Sequence, residues 1–144
     1  MSQYVLVAVD GSEESEQALE YALDDLQGAT IALIHVVSPV SSYSYGGDDY
    51  FDVEGYQAAL EQKREEGEEL LERSREVAAE HGVDAETILA TGKPAAAILE
   101  AAEANDVDQI VMGSRGRSGV GRVLFGSVAE TVTRRASVPV TIVR

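Results

Sequence analysis

A chain of 144 residues with a formal net charge of −15 suits one domain, and its charge excludes general binding to nucleic acid or to anionic membranes. The absence of cysteine excludes disulfides and thiolate metal centres. No apolar run approaches the roughly 20 residues of a membrane span, and no basic segment followed by an apolar stretch opens the chain, so the sequence predicts a cytoplasmic protein without a signal peptide.

Acids and bases are separated along the chain. Residues 1–62 carry twelve Asp or Glu and no Lys or Arg, whereas residues 115–144 carry six Arg and one acid, Glu130. Arginine outnumbers lysine nine to two. An acidic, lysine-poor composition suggests a salt-rich cytosol, where screening relieves self-repulsion.

Tyr4 to Val9 is a short valine-rich run that predicts a strand buried on both faces. Asp10-Gly11-Ser12 ends it, and Glu13 to Leu26 carries Ala18, Leu19, Ala22 and Leu26 on one helical stripe. Asp10 or Ser12 can cap that helix. A second role for Asp10 is equally open: it stands after the first strand, where open α/β sheets bind ligands, and it could accept hydrogen bonds from a ribose hydroxyl or an adenine amine. Gly28 closes the helix, and Thr30 to Val37 is the second strand. His35 within it reads as a packing histidine.

Ser38 to Tyr56 carries Gly46, Gly47, Gly55 and five aromatic residues. A segment this long is unusual inside a compact domain and predicts a lid, a partner surface or a solvated insertion. Gln57 to His81 is a long helix whose narrow apolar face runs through Leu60, Gly67, Leu70, Leu71, Ser74, Val77 and Ala78, with Glu, Lys and Arg elsewhere. Ala85 to Ala90 is a weaker strand. Pro94 fits the first position of a helix reaching about Ala104.

Gln109 to Gly113 is the fourth strand, and it leads into the most distinctive stretch, Met112 to Ser127, with five glycines and three arginines in sixteen residues. Strand, glycine loop and helix start are the parts of an anion site. Glycines let backbone N–H groups approach a ligand, a helix start presents unsatisfied donors, and arginine adds permanent charge. The expected phosphate cradle spans Gly113 to Gly116 and Gly126 to Ala129. Gly113 is expected to serve the ligand, so that Gly113→Val spares folding. Ser127-x-x-Glu130 has capping-box spacing and predicts Ser127 as the cap of a helix reaching Ala136. Val138 to Val143 is the fifth strand, and Pro139 places it at a sheet edge. Five strands alternating with four helices predict a parallel, doubly wound sheet.

Gly113, two residues, Gly116, nine residues, then Gly126-Ser127 is the spacing of the nucleotide-binding universal stress proteins, and the chain resembles that family along nearly its whole length. The resemblance implies a single α/β domain with strand order 3-2-1-4-5 and helices on both faces, which brings Asp10 and Gly113 to one crevice at the switch in winding. It implies ATP or another adenine nucleotide, with Mg²⁺, held by Ala8, Asp10, Val36, Met112, Gly113, Ser114, Arg115, Gly116, Arg117, Gly126, Ser127, Val128 and Ala129. It also implies a homodimer through Val138–Val143.

Competing motifs are absent. The chain has no Gly-x-x-x-x-Gly-Lys-Ser/Thr sequence, and Asp10-Gly11-Ser12 lacks the dinucleotide glycine fingerprint. A phospho-accepting receiver would need paired acids after the first strand. No nucleophile stands beside a base, so the expected role is a nucleotide-dependent stress regulator, at most a slow ATPase. The alternatives are a dimeric interaction module with an empty crevice and a nucleotide-dependent enzyme of related fold.

Overall fold

The computed structural model describes residues 3–39, 46–47, 50–51, 53–114 and 126–144. Along the chain lie β1 (Tyr4–Ala8), α1 (Glu13–Asp25), β2 (Thr30–Val37), the two-residue strands β3 (Gly46–Gly47) and β4 (Tyr50–Phe51), α2 (Val53–Glu80), β5 (Glu86–Thr91), α3 (Pro94–Ala104), β6 (Gln109–Gly113), α4 (Ser127–Arg135) and β7 (Val140–Val143). The main sheet has five strands in the order β5-β2-β1-β6-β7, every neighbouring pair parallel. With the short β3–β4 ladder set aside, this is the predicted order 3-2-1-4-5.

The strands are apolar runs because both faces are covered. On one face Val5, Val7, Val9, Ile31 and Leu33 pack with Ala18, Leu19, Ala22 and Leu23 of α1 and Leu71 and Ala78 of α2. On the other, Leu6, Ala32, Ile34, Ile110 and Met112 pack with Ile98 and Ala102 of α3 and Ala129 and Val132 of α4. Successive strand residues alternate between these clusters, as the period of two requires. Each fully buried side chain such as Leu33 or Ile110 contributes about 1.5–3 kcal/mol by leaving water.

The boundaries that depart furthest from expectation are the starts of α2 and β7. Helix α2 starts at Val53 rather than Gln57, inside the segment predicted as an irregular loop, and that segment also carries the antiparallel pairing of Gly46 with Phe51 and Gly47 with Tyr50. Tyr43 and Tyr45 lie outside the described residues. Helix α2 touches the core through small residues, Gly67, Ser74 and Ala78, beside Leu71. It ends in a Schellman arrangement, with Val83 N–H donating to Ala78 O and Gly82 N–H to Ala79 O, both at 2.9 Å. Strand β7 begins at Val140, two residues later than predicted; Pro139 instead lends its carbonyl to Ile110 N–H at 3.0 Å. Strand β7 does lie at the sheet edge.

Candidate functional site in the crevice between the first and fourth long strands

Winding reverses between β1 and β6, so their carboxyl ends border the crevice of a doubly wound sheet. The register pairs Val7 with Val111, which brings Asp10 and Ser114 to the same end.

On the β1 side the chain turns sharply at Gly11, whose φ of +83° is a left-handed conformation suited to glycine. The turn aims Ser12 back at the helix. Ser12 is the cap of α1, its Oγ accepting from Ser15 N–H at 3.1 Å. Asp10 is not the cap. Its Oδ1 accepts from Ser12 N–H at 2.9 Å and from Ser12 Oγ–H at 2.5 Å, while Asp10 N–H donates to Ser15 Oγ at 3.2 Å. The sequence offers Asp10 and Ser12 alike as the cap, and the part played by Ser15 emerges in the structure. The spacing Asp-x-Ser-x-x-Ser could have signalled it, because a serine three residues past a cap faces the cap.

On the β6 side Ser114 is buried. Its N–H donates to Val143 O at 2.9 Å, which extends the sheet pairing, and its carbonyl accepts Gly126 N–H at 2.6 Å. The residues on either side of 115–125 are therefore bridged backbone to backbone. The cap of α4 is Gly126, with φ −69° and ψ 163° and no side-chain cap bond. This corrects the predicted capping box. Ser127 is the first helical residue, exposed, and its carbonyl accepts Thr131 Oγ1–H at 2.9 Å. Glu130 sits 3.7 Å from Arg134 on the solvent side. The first intrahelical bond is Glu130 N–H to Gly126 O at 3.0 Å, so the N–H groups of Ser127, Val128 and Ala129 precede any intrahelical acceptor. The amides of Ser114 and Gly126 are already used within the chain.

Gly113 has a different reason for being glycine than expected. A Cβ there would stand 2.8 Å from the carbonyl carbon, carbonyl oxygen and Cβ of Glu14. The first turn of α1 thus lies directly on the end of β6, and only a residue without a side chain admits it. Against the expectation that Gly113→Val spares folding, this close approach predicts that it costs stability. Glu14 itself was not singled out from sequence, because the contact joins residues far apart in the chain and leaves no local pattern.

The remaining predicted positions converge on the opposite sheet face. Met112 and Ala129 are buried in the α3/α4 cluster, and Ala8, Val36 and Val128 are partly buried against it. This gives an apolar floor at the carboxyl ends of β1, β2 and β6, with Asp10 and the α4 start beside it. Arg115, Gly116 and Arg117 lie outside the described residues. His35 packs as expected: its Nδ1 donates to Val9 O at 2.8 Å, and its ring lies where a Cβ on Gly67 would fall 2.8 Å from Cδ2. Among the described residues there is no group of three or more His, Cys, Asp or Glu able to hold a metal ion. A cleft of about 490 Å³ lined by Asp24, Gly28, Thr30, His81 and Asp84 lies at the amino end of the sheet, away from the crevice.

The whole chain, residues 1–144, matches the universal stress protein family. It is 40% identical over 148 residues to universal stress protein YxiE of Bacillus subtilis, with 100% of each chain covered. It is similar to the solved structure of a hypothetical protein, MJ0577, with a TM-score of 0.82 at 29% identity, covering 99% of this chain and 96% of that one. A universal stress protein solved in complex with cAMP is 28% identical with a TM-score of 0.67, covering 99% and 97% of the two chains.

Proposed function

The chain belongs to the universal stress protein family, and from that premise we propose that it is a regulator whose crevice binds an adenine nucleotide, ATP with Mg²⁺, and at most hydrolyses it slowly. One observation carries this reading. Helix α4 starts at a glycine cap without a side-chain bond, tied through Gly126 N–H to Ser114 O just past the end of β6, which supports reading its first-turn donors and positive pole as the phosphate site. The half-open apolar floor of Ala8, Val36 and Val128 suits a purine face. The sequence spacing of Gly113, Gly116 and Gly126 and the binding of cAMP by a relative point the same way. With no three-ligand metal cluster among the described residues, Mg²⁺ would be held chiefly by phosphate oxygens and water, as Mg²⁺ commonly is. The test is calorimetric titration with Mg·ATP, joined to mass spectrometry of any small molecule released from the purified protein. Saturable one-to-one binding is expected; no heat and no released nucleotide would refute the reading.

The same proposal includes a homodimer through Val138–Val143. Strand β7 is at the edge, and Val140, Thr141, Ile142 and Val143 are all partly exposed. An apolar edge strand invites pairing with a second copy about a two-fold axis. The net charge of −15 opposes association, so the dimer should strengthen with salt. Light scattering is expected to report a dimer for the unmodified chain and a monomer for Val140→Glu. A monomer across micromolar concentrations in molar salt would contradict this.

A further inference from the structure

The free edge of β7 carries a definite pattern of backbone groups. Pro139 O accepts Ile110 N–H at 3.0 Å, and Val143 O accepts Ser114 N–H at 2.9 Å. The N–H and C=O of one strand residue point to the same side, and successive residues alternate. Thr141 therefore also turns its backbone toward β6, while Val140 and Ile142 turn theirs outward. A second copy pairing antiparallel must set outward residues opposite one another. A two-fold axis at Thr141 places Val140 opposite Ile142 twice and uses only residues of β7. An axis at Val140 or at Ile142 would set the other against a residue outside the strand, Val138 or Arg144.

Such an axis is perpendicular to the joined sheet, so both copies keep α3 and α4 on one face. Helix α4 is the outer of the two, since α3 packs over β2 and β5 whereas α4 reaches β7. It starts at the level of Ser114 and ends at the level of Ile110, and Thr141 is level with Val111. The axis thus crosses near the middle of α4 and sends the two α4 helices antiparallel. Each is seated on Ile110 and Met112 of β6, so they lie three strand spacings apart, roughly 14 Å. Within α4, Arg135 lines the groove toward Ala96 and Leu99 of α3. Arg134 is about 100° further round, exposed on the side away from α3 and toward the edge. The last turn of one α4, with Arg134, then stands beside the first turn of the other.

We propose that the second copy completes the crevice: its Arg134 stands at the phosphate end, so that nucleotide binding and pairing of the two copies strengthen each other. This rests on the nucleotide and dimer readings above. The crevice's own Arg134 cannot serve it. Seven residues, roughly 10 Å along the helix, separate that arginine from Ser127, and it sits 3.7 Å from Glu130. Arg134 of the second copy arrives from across the axis, and its guanidinium suits phosphate oxygens in pairs. Before a nucleotide binds, it has Glu130 of the facing helix to meet, so the two copies set opposite charges against each other. A nucleotide held by both copies favours the dimer, and by reciprocity the dimer favours the nucleotide by the same factor.

The experiment measures Mg·ATP affinity by calorimetry and dimer dissociation by analytical ultracentrifugation. It uses the full chain, Arg134→Ala, Val140→Glu and the double variant. Dilution of the unmodified chain below its dimer dissociation constant gives the monomer without any substitution. Thr141→Cys reports the register, because the chain has no other cysteine and opposed residues of a non-hydrogen-bonded pair lie about 4.5 Å apart, within disulfide reach. Saturating Mg·ATP should tighten the dimer about tenfold, and Arg134→Ala should weaken Mg·ATP binding by the dimer about tenfold. The monomer should show the same weakening, with no further loss when Arg134→Ala is added to it. Unaltered affinity in dimeric Arg134→Ala, a further loss in the monomer, or a dimer whose Thr141→Cys form gives no disulfide between copies would overturn the inference while leaving both readings intact. A monomeric unmodified chain would remove the dimer reading along with it, and no nucleotide binding would remove the nucleotide reading along with it.

Discussion

Two helices begin at the carboxyl end of the same sheet, and their first turns are finished in opposite ways. Helix α1 closes on itself: Ser12 caps it through its own hydroxyl, and Glu13, Glu14 and Glu16 set negative charge against its positive pole. Helix α4 has a glycine cap, no side-chain cap bond, a single acid in its first turn and Arg134 and Arg135 in its last. A helix end costs stability unless its donors find partners. In α1 the Ser12 hydroxyl takes one of them, Ser15 N–H; in α4 no cap side chain takes any. The same contrast separates a wall that is fixed before any ligand arrives from one that a ligand would complete.

The largest expected effect breaks the closed side. In Gly113→Val the new side chain would meet the backbone of α1 at Glu14, where a Cβ alone already falls at 2.8 Å. Neither element can yield without disturbing the sheet, so a loss of about 3 kcal/mol is expected, read as a melting temperature lower by roughly 10 °C. A melt within a degree or two of the unmodified chain would show that α1 does not depend on this contact. A smaller effect should appear on the ligand alone. Asp10→Asn keeps an acceptor oxygen for Ser12 but removes the charge, so Mg·ATP affinity should fall by about tenfold while the melt shifts little. Loss of stability without loss of affinity would reassign Asp10 to the fold. Smaller again, Ser12→Ala should lower stability by about 1 kcal/mol through loss of the α1 cap, a cost that α4 has no cap side chain to incur.

The smallest effect is a control away from both helix starts. Tyr4 Oη donates to Glu86 Oε2 at 2.7 Å, and this bond to a carboxylate, followed by burial and the charge of Glu86, raises the phenol above its ordinary value. The folded chain therefore holds the proton longer than the unfolded chain. The contribution is complete below the unfolded value of about 10 and is lost as pH rises through the raised folded value. Tyr4→Phe should flatten the fall in stability above about pH 10 and leave Mg·ATP binding unchanged. Because the pair is exposed the change should be slight. A steep change would mean that this pair, not the helix ends, governs alkaline stability.

Much of this architecture is legible in the sequence. The valine and isoleucine runs of β1, β2 and β6 announce strands buried on both faces, Pro94 marks the first residue of α3, and Pro139 marks the approach to an edge strand. What misled was local pattern with a one-residue ambiguity. Ser127-x-x-Glu130 reads as a capping box, yet the helix starts equally well from Gly126, and the carbonyl of Ser114, distant in any local window, fixes that start. Gly113 was legible as a site needing glycine but not as a contact with Glu14, since tertiary packing leaves no periodicity. At the site, Asp10 could be placed at the crevice from topology, whereas its tie to Ser15 depended on the turn geometry at Gly11.

The contrast between the two helix starts is tested most directly by giving α4 the cap it lacks. The backbone at Gly126 is extended, as a cap requires, so Gly126→Asp should place an acceptor on the first-turn donors of α4 and a negative charge at its pole. Melting and Mg·ATP titration are then measured on the same preparation. Stability is expected to hold or to rise by a few tenths of a kcal/mol, while Mg·ATP affinity falls by about tenfold or more. Stability that holds or rises with unaltered affinity would contradict the claim that the start of α4 is kept open for a nucleotide.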